Sequence, residues 1–357
     1  MLKKGFSSIK NRIAIIESDP FACTWLKEKD KKTAKVELEA NIRYRNPERG
    51  PRLKKVVFRN DFSYHHALSL CMNSEGQVDI VTKVRPKDAG KVVSSPFAKL
   101  VNEKSNTIVT GIFNRFVQDL PFTDRRLREG LNLAINPEKI VHDGFKGYAD
   151  IVPALTLPWS KEGSNDLRPK PFDPIQAKEL LEEVGWPSGR ILRIASFAKY
   201  KGAARGAARS IQDTIGISVS VTIIPDAEKI KWMQVLAEKK LIPNWDLLII
   251  DISAFFLEDM PAYFHRELFG FDGSLRAGPR VMSFEHRFTA FAGETNRNKR
   301  KKLAQEIDQY VYHEALALFL CSPRELYAVN KNVNFIPFRT TFELAETEVT
   351  ANHWSLR

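Results

Sequence analysis

Apolar and polar residues alternate along several short stretches, and this period of two predicts strands with one buried face. Residues 34–44 show the alternation clearly, with Val36 and Leu38 among their apolar members. Short apolar runs between turn residues predict further strands at residues 56–58, 77–81 and 106–113. The first part of the chain therefore combines short strands with at least one helix.

That helix is indicated by apolar residues at helical spacing. Ala67, Leu68 and Cys71 share one face, and Gly76 is the expected C-terminal cap. Both neighbouring histidines, His65 and His66, fall at its start and point about 100° apart, so they are poorly placed to share a metal ion.

Capping residues mark the expected ends of a second helix. Thr123 is the expected N-cap, and Leu127 and Leu131 form the apolar face. Asn136-Pro137 should end or restart this helix, because proline cannot continue it. Prolines make residues 150–174 an irregular loop.

The region after that loop alternates helices and strands. Asp173-Pro174 should open a helix that Gly185 closes. Further helices are predicted at residues 201–214, 226–240 and 297–314, and strands at residues 191–197, 216–224 and 245–250. Residues 245–250 are continuously apolar, so this strand should be buried on both faces. The pattern predicts an α/β architecture with two lobes.

Length and charge refine this picture. The chain has 357 residues, enough for about two domains, and a formal net charge of +12. No run approaches the roughly 20 apolar residues of a membrane span. Near the start, the longest apolar run is residues 13–16, shorter than the roughly 7–15 residues of an export signal. The chain as written predicts a cytoplasmic protein, or one whose true beginning is missing.

Motifs for catalysis, metal binding and nucleotide binding are absent. The glycines match no phosphate loop, and the histidines and cysteines lack zinc-ligand spacing. Cys71 and Cys321 lie in apolar surroundings and are predicted to be buried thiols. The adjacent carboxylates Glu258 and Asp259 are a weak candidate for acid–base chemistry. We therefore expect no enzyme activity, metal or cofactor.

Positive charge invites comparison with nucleic-acid-binding proteins. The basic clusters occur at residues 27–35, 125–128 and 297–302, on separate predicted elements. None is accompanied by interleaved aromatics or a helix-turn-helix pattern. Solvent-exposed surfaces are favoured over a nucleic-acid site.

Five segments, taken in order, resemble the family-5 extracellular solute-binding proteins, the peptide-binding components of ABC importers. The strongest is PFTDRRLREGLNLAINPEKIV, from Pro121. The others are EANIRYRNPERGPRLKKVVFR, GQVDIV, PFDPIQAKELLEEVGW and NWDLLIID, from Glu39, Gly76, Pro171 and Asn244. Together they extend over most of the chain.

The resemblance implies a type II periplasmic-binding-protein-like fold of two α/β lobes joined by a hinge, with ligand between them. It assigns residues 1–114 and the returning tail 328–357 to the first lobe, and residues 115–327 to the second. The hinge crossings are expected near residues 112–116 and 326–334. Family members are longer at the front, so the first lobe is expected to be incomplete.

The resemblance also implies the ligand-binding residues. The backbone near residues 250–254 should pair with an extended ligand, and Glu258 or Asp259 is the candidate anchor for its amino group. Phe255 and Phe256 either line a pocket or pack in the core. The expected ligand-binding set is Asn114, Ile250, Asp251, Ile252, Ser253, Phe255, Phe256, Glu258 and Asp259.

The function implied is substrate binding for an ABC-type peptide uptake system, in a monomer that meets permease subunits at the outer side of a bacterial membrane. Relatives also bind nickel complexes, haem and sugars, so the ligand stays open. The alternative is a cytoplasmic regulator that uses the same fold as a sensor. A hydrolase on an α/β scaffold is a third, weaker hypothesis.

Overall fold

The computed structural model describes residues 21–25, 35–41, 51–160, 163–164, 166–238, 245–253, 262–338, 344 and 346–357. The described strands are β1 Phe21–Trp25, β2 Lys35–Ala40, β3 Lys55–Arg59, β4 Ile80–Val81, β5 Ala98–Glu103, β6 Thr107–Phe113, β7 Ala149–Ile151, β8 Leu192–Phe197, β9 Val219–Ile224, β10 Leu247–Ser253, β11 Ala317–Pro323, β12 Glu325–Asn330, β13 Val333–Asn334 and β14 Glu348–Val349. The described helices are α1 Tyr64–Asn73, α2 Ala89–Val93, α3 Arg125–Leu133, α4 Pro137–Phe145, α5 Pro174–Val184, α6 Lys201–Ile215, α7 Lys229–Ala237, α8 Ala262–Phe269, α9 Met282–Gly293 and α10 Arg297–His313.

The chain divides into two compact units. One comprises Met1–Glu103 with Glu325–Arg357, and the other comprises Lys104–Arg324. The sequence places these divisions later, after residues 114 and 327. The first division comes earlier because β6 belongs along its whole length to the sheet of the second unit.

The first unit is built on small antiparallel sheets. Their strand orders are β1-β2-β3, β4-β12-β5 and β13-β14. Tyr327 and Val329 on β12 pack with Val333 and Phe335 in an apolar cluster, and α1 buries Leu68 and Cys71. The strand predicted at residues 34–44 is confirmed over Lys35–Ala40.

The second unit has one sheet in the order β7-β11-β6-β10-β8-β9. β8 pairs in parallel with both β9 and β10, whereas β6 pairs antiparallel with β10 and β11. Each parallel connection passes through a helix, α6 after β8 and α7 after β9. The βαβαβ pattern expected from the sequence is therefore confirmed.

Both faces of this sheet are covered. Leu247 and Ile249 on β10 belong to an apolar cluster with α3, α4, α5 and α6. Leu248 and Ile250 point to the other face and pack with α8, α9 and α10. The strand predicted to be buried on both faces is thus confirmed, since these four residues are essentially inaccessible.

The sequence predicts some helix caps correctly and others wrongly. Asp173 and Gly185 cap α5 as expected, and Asn136 caps a new helix whose first residue is Pro137. Two caps were wrong. Asp124, not Thr123, caps α3, because its carboxylate accepts from the backbone N–H of Arg126 at 2.8 Å.

The second wrong cap is Gly76. α1 ends earlier, at Asn73, because the N–H and hydroxyl of Ser74 both donate to the carbonyl of Leu70. The strand predicted at residues 77–81 is limited to β4, since only Ile80 and Val81 pair with β12. Sequence patterns also missed α2, α8, α9 and β5. In α9 the missed signal is the spacing of Phe284, Phe288 and Phe291 on one face.

Candidate functional site

The carboxyl ends of the three parallel strands lie at one edge of the second unit's sheet. β8 ends at Phe197, β9 at Ile224 and β10 at Ser253. In α/β sheets, ligands bind in the crevice outside the carboxyl ends of parallel strands. This edge is therefore the expected position of a ligand site in the second unit.

β10 extends past its neighbour β8 at this edge. The pairing with β8 stops at Ile249, opposite Ser196, whereas pairing with β6 continues to Ser253, opposite Thr107. Within the described ranges, residues 250–253 thus have a strand on one side only. We call this segment the open edge of β10. It brings together four residues that the sequence predicts as ligand-binding, namely Ile250, Asp251, Ile252 and Ser253.

Backbone groups at the open edge can accept another strand. In an antiparallel pair, alternate residues direct their N–H and C=O groups toward the partner, and the remaining residues direct theirs away. Alternate residues along the open edge accordingly direct their N–H and C=O groups away from β6. An extended peptide can add to such an edge through main-chain hydrogen bonds.

The described side chains of the open edge, those of residues 250–252, contact residues of the second unit. Ile250 is buried and Ile252 is half-buried, and both pack with the α8–α10 face of the core. The Asp251 carboxylate lies 3.8 Å from the Lys229 ammonium at the start of α7, which in turn lies 5.3 Å from the Phe197 ring centroid. What this edge offers a ligand is therefore chiefly its backbone.

Polar and aromatic groups surround the start of β6 at the same end of the sheet. The Trp159 indole N–H donates to the Ser105 carbonyl at 3.2 Å, and the Lys104 ammonium lies 4.9 Å from the Trp159 ring centroid. The Ser322 hydroxyl donates to the Thr107 carbonyl at 2.7 Å. Sequence patterns missed Trp159 because it lies in a proline-rich loop without periodicity.

Asn114 lies at the opposite end of the same strand pair. Its neighbour Phe113 pairs with Leu247, so six residues of β10, or roughly 20 Å, separate it from Ser253. The amide N–H of its side chain donates to the Trp245 carbonyl at 3.0 Å, and its oxygen accepts from the Phe116 N–H at 3.2 Å. The structure does not bring Asn114 to the open edge, and its assignment to the ligand stays a prediction.

The other expected ligand-binding residues, Phe255, Phe256, Glu258 and Asp259, lie outside the described residues. Whether Glu258 or Asp259 anchors an amino group therefore stays a prediction. Both follow the open edge directly in sequence.

A buried carboxylate fixes the amino end of β10. Asp246 has no exposed surface and accepts from the guanidinium groups of Arg190 and Arg193 at 2.6–3.2 Å. It also accepts from the backbone N–H of Arg193 at 2.7 Å, which ties β10 to β8. This ionic cluster orients the two strands whose other ends form the site.

Two of the cysteines lie in the apolar core. Cys71 and Cys321 are buried and unbridged, as the sequence predicts. Burial raises the pKa of the Cys71 thiol to about 12 and raises the pKa of Cys321 as well, so both thiols are protonated near neutral pH. Among the described residues, no group of histidines, cysteines and carboxylates is arranged to hold a metal ion.

The described helices include none that is long and apolar enough to cross a membrane. The basic cluster at residues 297–302 forms the first turns of α10, where all but Arg300 are exposed. This agrees with the solvent-exposed helix start expected from the sequence.

Residues 7–269 match the family described as bacterial extracellular solute-binding proteins, family 5 middle. A curated relative, the glutathione-binding protein GsiB of Pectobacterium atrosepticum, is 28% identical over 182 residues. That match covers 50% of this chain and 34% of the relative, so it spans about a third of the relative's length.

Solved structures share the fold. The ABC transporter substrate-binding protein CtaP of Listeria monocytogenes has a TM-score of 0.78 at 17% identity, covering 93% of this chain and 67% of that one. DppA of Helicobacter pylori, in complex with the peptide STSA, has a TM-score of 0.67 at 18% identity, covering 92% of this chain and 62% of that one. The chain therefore has a type II periplasmic-binding-protein fold and belongs to the family 5 bacterial extracellular solute-binding proteins.

Proposed function

We propose that this chain is the substrate-binding component of an ABC-type peptide uptake system and that peptide pairs with the open edge of β10. The observation that carries the proposal is the offset of β10 beyond β8, which leaves residues 250–253 with one strand neighbour among the described residues. Main-chain pairing recognises an extended ligand whatever its side chains, so we expect broad specificity.

The proposed ligand class is a short peptide. The structural neighbour DppA is in complex with the peptide STSA, and the curated relative GsiB is named for glutathione, itself a tripeptide. Haem, sugars and nickel complexes offer no extended main chain for strand addition. The proposed partners are the permease subunits of the importer, met by a monomer on the periplasmic or extracellular side of the membrane.

The proposal includes binding without turnover. A family whose members bind solutes needs a site that releases its ligand unchanged. A bound peptide should accordingly be recovered intact.

Native mass spectrometry of gently purified protein tests the proposal. We expect adducts whose masses correspond to mixed short peptides, and a rise in melting temperature when Ser-Thr-Ser-Ala or reduced glutathione is added. The peptide should keep its mass after prolonged incubation. A preparation with no adduct and no thermal shift with either peptide would contradict the proposal.

A further inference from the structure

Three arginines from separate segments of the second unit lie close together at the end of the sheet opposite the open edge. Arg115 follows β6, Arg128 lies on α3, and Arg276 lies between α8 and α9. The Arg115 backbone N–H donates to the Ala277 carbonyl at 2.7 Å, which holds the segment carrying Arg276 against Arg115.

Arg128 donates its hydrogen bonds to backbone carbonyls within the protein. Its guanidinium donates to four backbone carbonyls, those of Phe122, Thr123, Glu314 and Ala315, at 2.6–3.0 Å. This arginine therefore adds positive charge to the cluster but has few donors left for anything else.

Arg115 differs because its guanidinium has no such partners. Only 8% of the residue is exposed, and its guanidinium nitrogens, which have no hydrogen-bond partner among the described residues, keep contact with solvent. Burial, followed by the charges of Arg128 and Arg276, lowers its pKa to about 10. Buried charges in proteins are ordinarily paired, since an isolated one is costly.

The Arg276 guanidinium also has an N–H group without a hydrogen-bond partner among the described residues. One terminal nitrogen donates to the Gly278 carbonyl, but the buried Nε has no hydrogen-bond partner in the described part of the chain. Arg276 and Arg115 both contact Gly278, and neither is among the described ion pairs.

Gly278 makes room for the Arg115 side chain. A Cβ atom at position 278 would lie 2.6 Å from the Arg115 Cβ and 2.8 Å from its Nε. The guanidinium therefore lies directly against backbone, in a position that any larger residue would disturb. A cation held this firmly is preorganised for a ligand.

We propose that Arg115 and Arg276 form a binding site for a small oxyanion, distinct from the peptide-binding edge. Guanidinium groups bind carboxylate and phosphate oxygens through paired N–H donors, and this is the counter-charge that the two side chains lack. The Tyr310 hydroxyl lies near enough to act electrostatically on Arg115 and is a further candidate contact. The ion is a phosphate-type or carboxylate-type group.

Thermal unfolding of the whole chain at constant ionic strength tests the site. Sodium phosphate, and in a separate arm sodium acetate, replaces sodium chloride. We expect the melting temperature to rise by a few degrees with at least one of the two anions, because an anion that binds only the folded state stabilises it. The responding arm identifies the type of oxyanion.

Arg115→Met is the decisive variant, and Arg280→Met is its control. Arg280 is exposed on the same segment and lies over the Phe271 ring. The first variant should lose the anion-dependent rise and melt no lower than wild type in chloride, whereas the control should keep the rise. Arg276→Gln provides a second test if Arg115→Met fails to fold. An equal rise in the variants and wild type, or no rise in either arm, would overturn the proposal.

Discussion

Individual polar residues in this protein take their roles from burial and from distant partners. Asp246 belongs to the segment NWDLLIID, where the sequence suggests only a strand next to a ligand. In the structure its carboxylate is fully buried and binds two arginines more than 50 residues earlier in the chain. Asn114 similarly bonds within the second unit. Local patterns do not contain these contacts.

Substituting Asp246→Asn should lower the free energy of unfolding by about 3–5 kcal/mol. The reason is that removal of one partner from a buried ionic cluster leaves Arg190 and Arg193 without their counter-charge. Urea denaturation measures the change.

The matched control is Asp119→Asn. Asp119 also binds Arg190, at 2.7 Å, but 60% of its side chain is exposed. Exposed ion pairs contribute little, so a loss below about 1 kcal/mol is expected. Equal losses in the two variants would show that burial of Asp246 does not determine its role.

At the scale of elements, features set by neighbouring residues were predicted better than features set by pairing. The caps of α5 and the restart at α4 depend on residues next to the helix ends, and the sequence predicted them. The length of β4 depends on a partner strand about 250 residues later, and the prediction for it was too long. The offset of β10 beyond β8 is likewise a tertiary feature. The sequence pattern ends this strand at residue 250, whereas pairing with β6 extends it to Ser253.

The capping of α3 gives a test at this scale. Asp124→Ala should lower stability by about 0.5–2 kcal/mol, because the carboxylate accepts from a backbone N–H in the first turn. Thr123→Ala is the control and should change stability little. The contact that Thr123 makes with Arg128 is through its backbone carbonyl, which the substitution keeps. Thermal or urea unfolding distinguishes the two; equal effects would contradict the assignment of Asp124 as the cap.

Asp124 also predicts a dependence on pH. Hydrogen bonds from Arg126 hold the pKa of the Asp124 carboxyl below its ordinary value of 3.8. Its contribution to stability is thus present above pH 3.8 and is lost as the pH falls through the lowered pKa. The difference between wild type and Asp124→Ala should shrink in that acidic range.

At the scale of the molecule, composition and net charge did not identify the family of the protein. The net charge of +12 leaves a nucleic-acid partner open, yet the cluster at residues 297–302 is an exposed helix start. The order of five motifs carried the family assignment, and the match over residues 7–269 confirmed it. The boundary between the two units was harder to predict. The apolar pattern of β6 shows that it is a buried strand but does not show which unit's sheet it joins.

We expect peptide to bind by main-chain pairing at the open edge of β10. Calorimetric titration with Ser-Thr-Ser-Ala, and with the same peptide N-methylated at its two inner residues, tests this most directly. Methylation removes donors without removing side chains, and each lost hydrogen bond is worth about 0.5–1.5 kcal/mol. We predict binding of the unmodified peptide and an affinity roughly tenfold lower after methylation. Equal affinities for the two peptides, or no binding of the unmodified one, would contradict the claim.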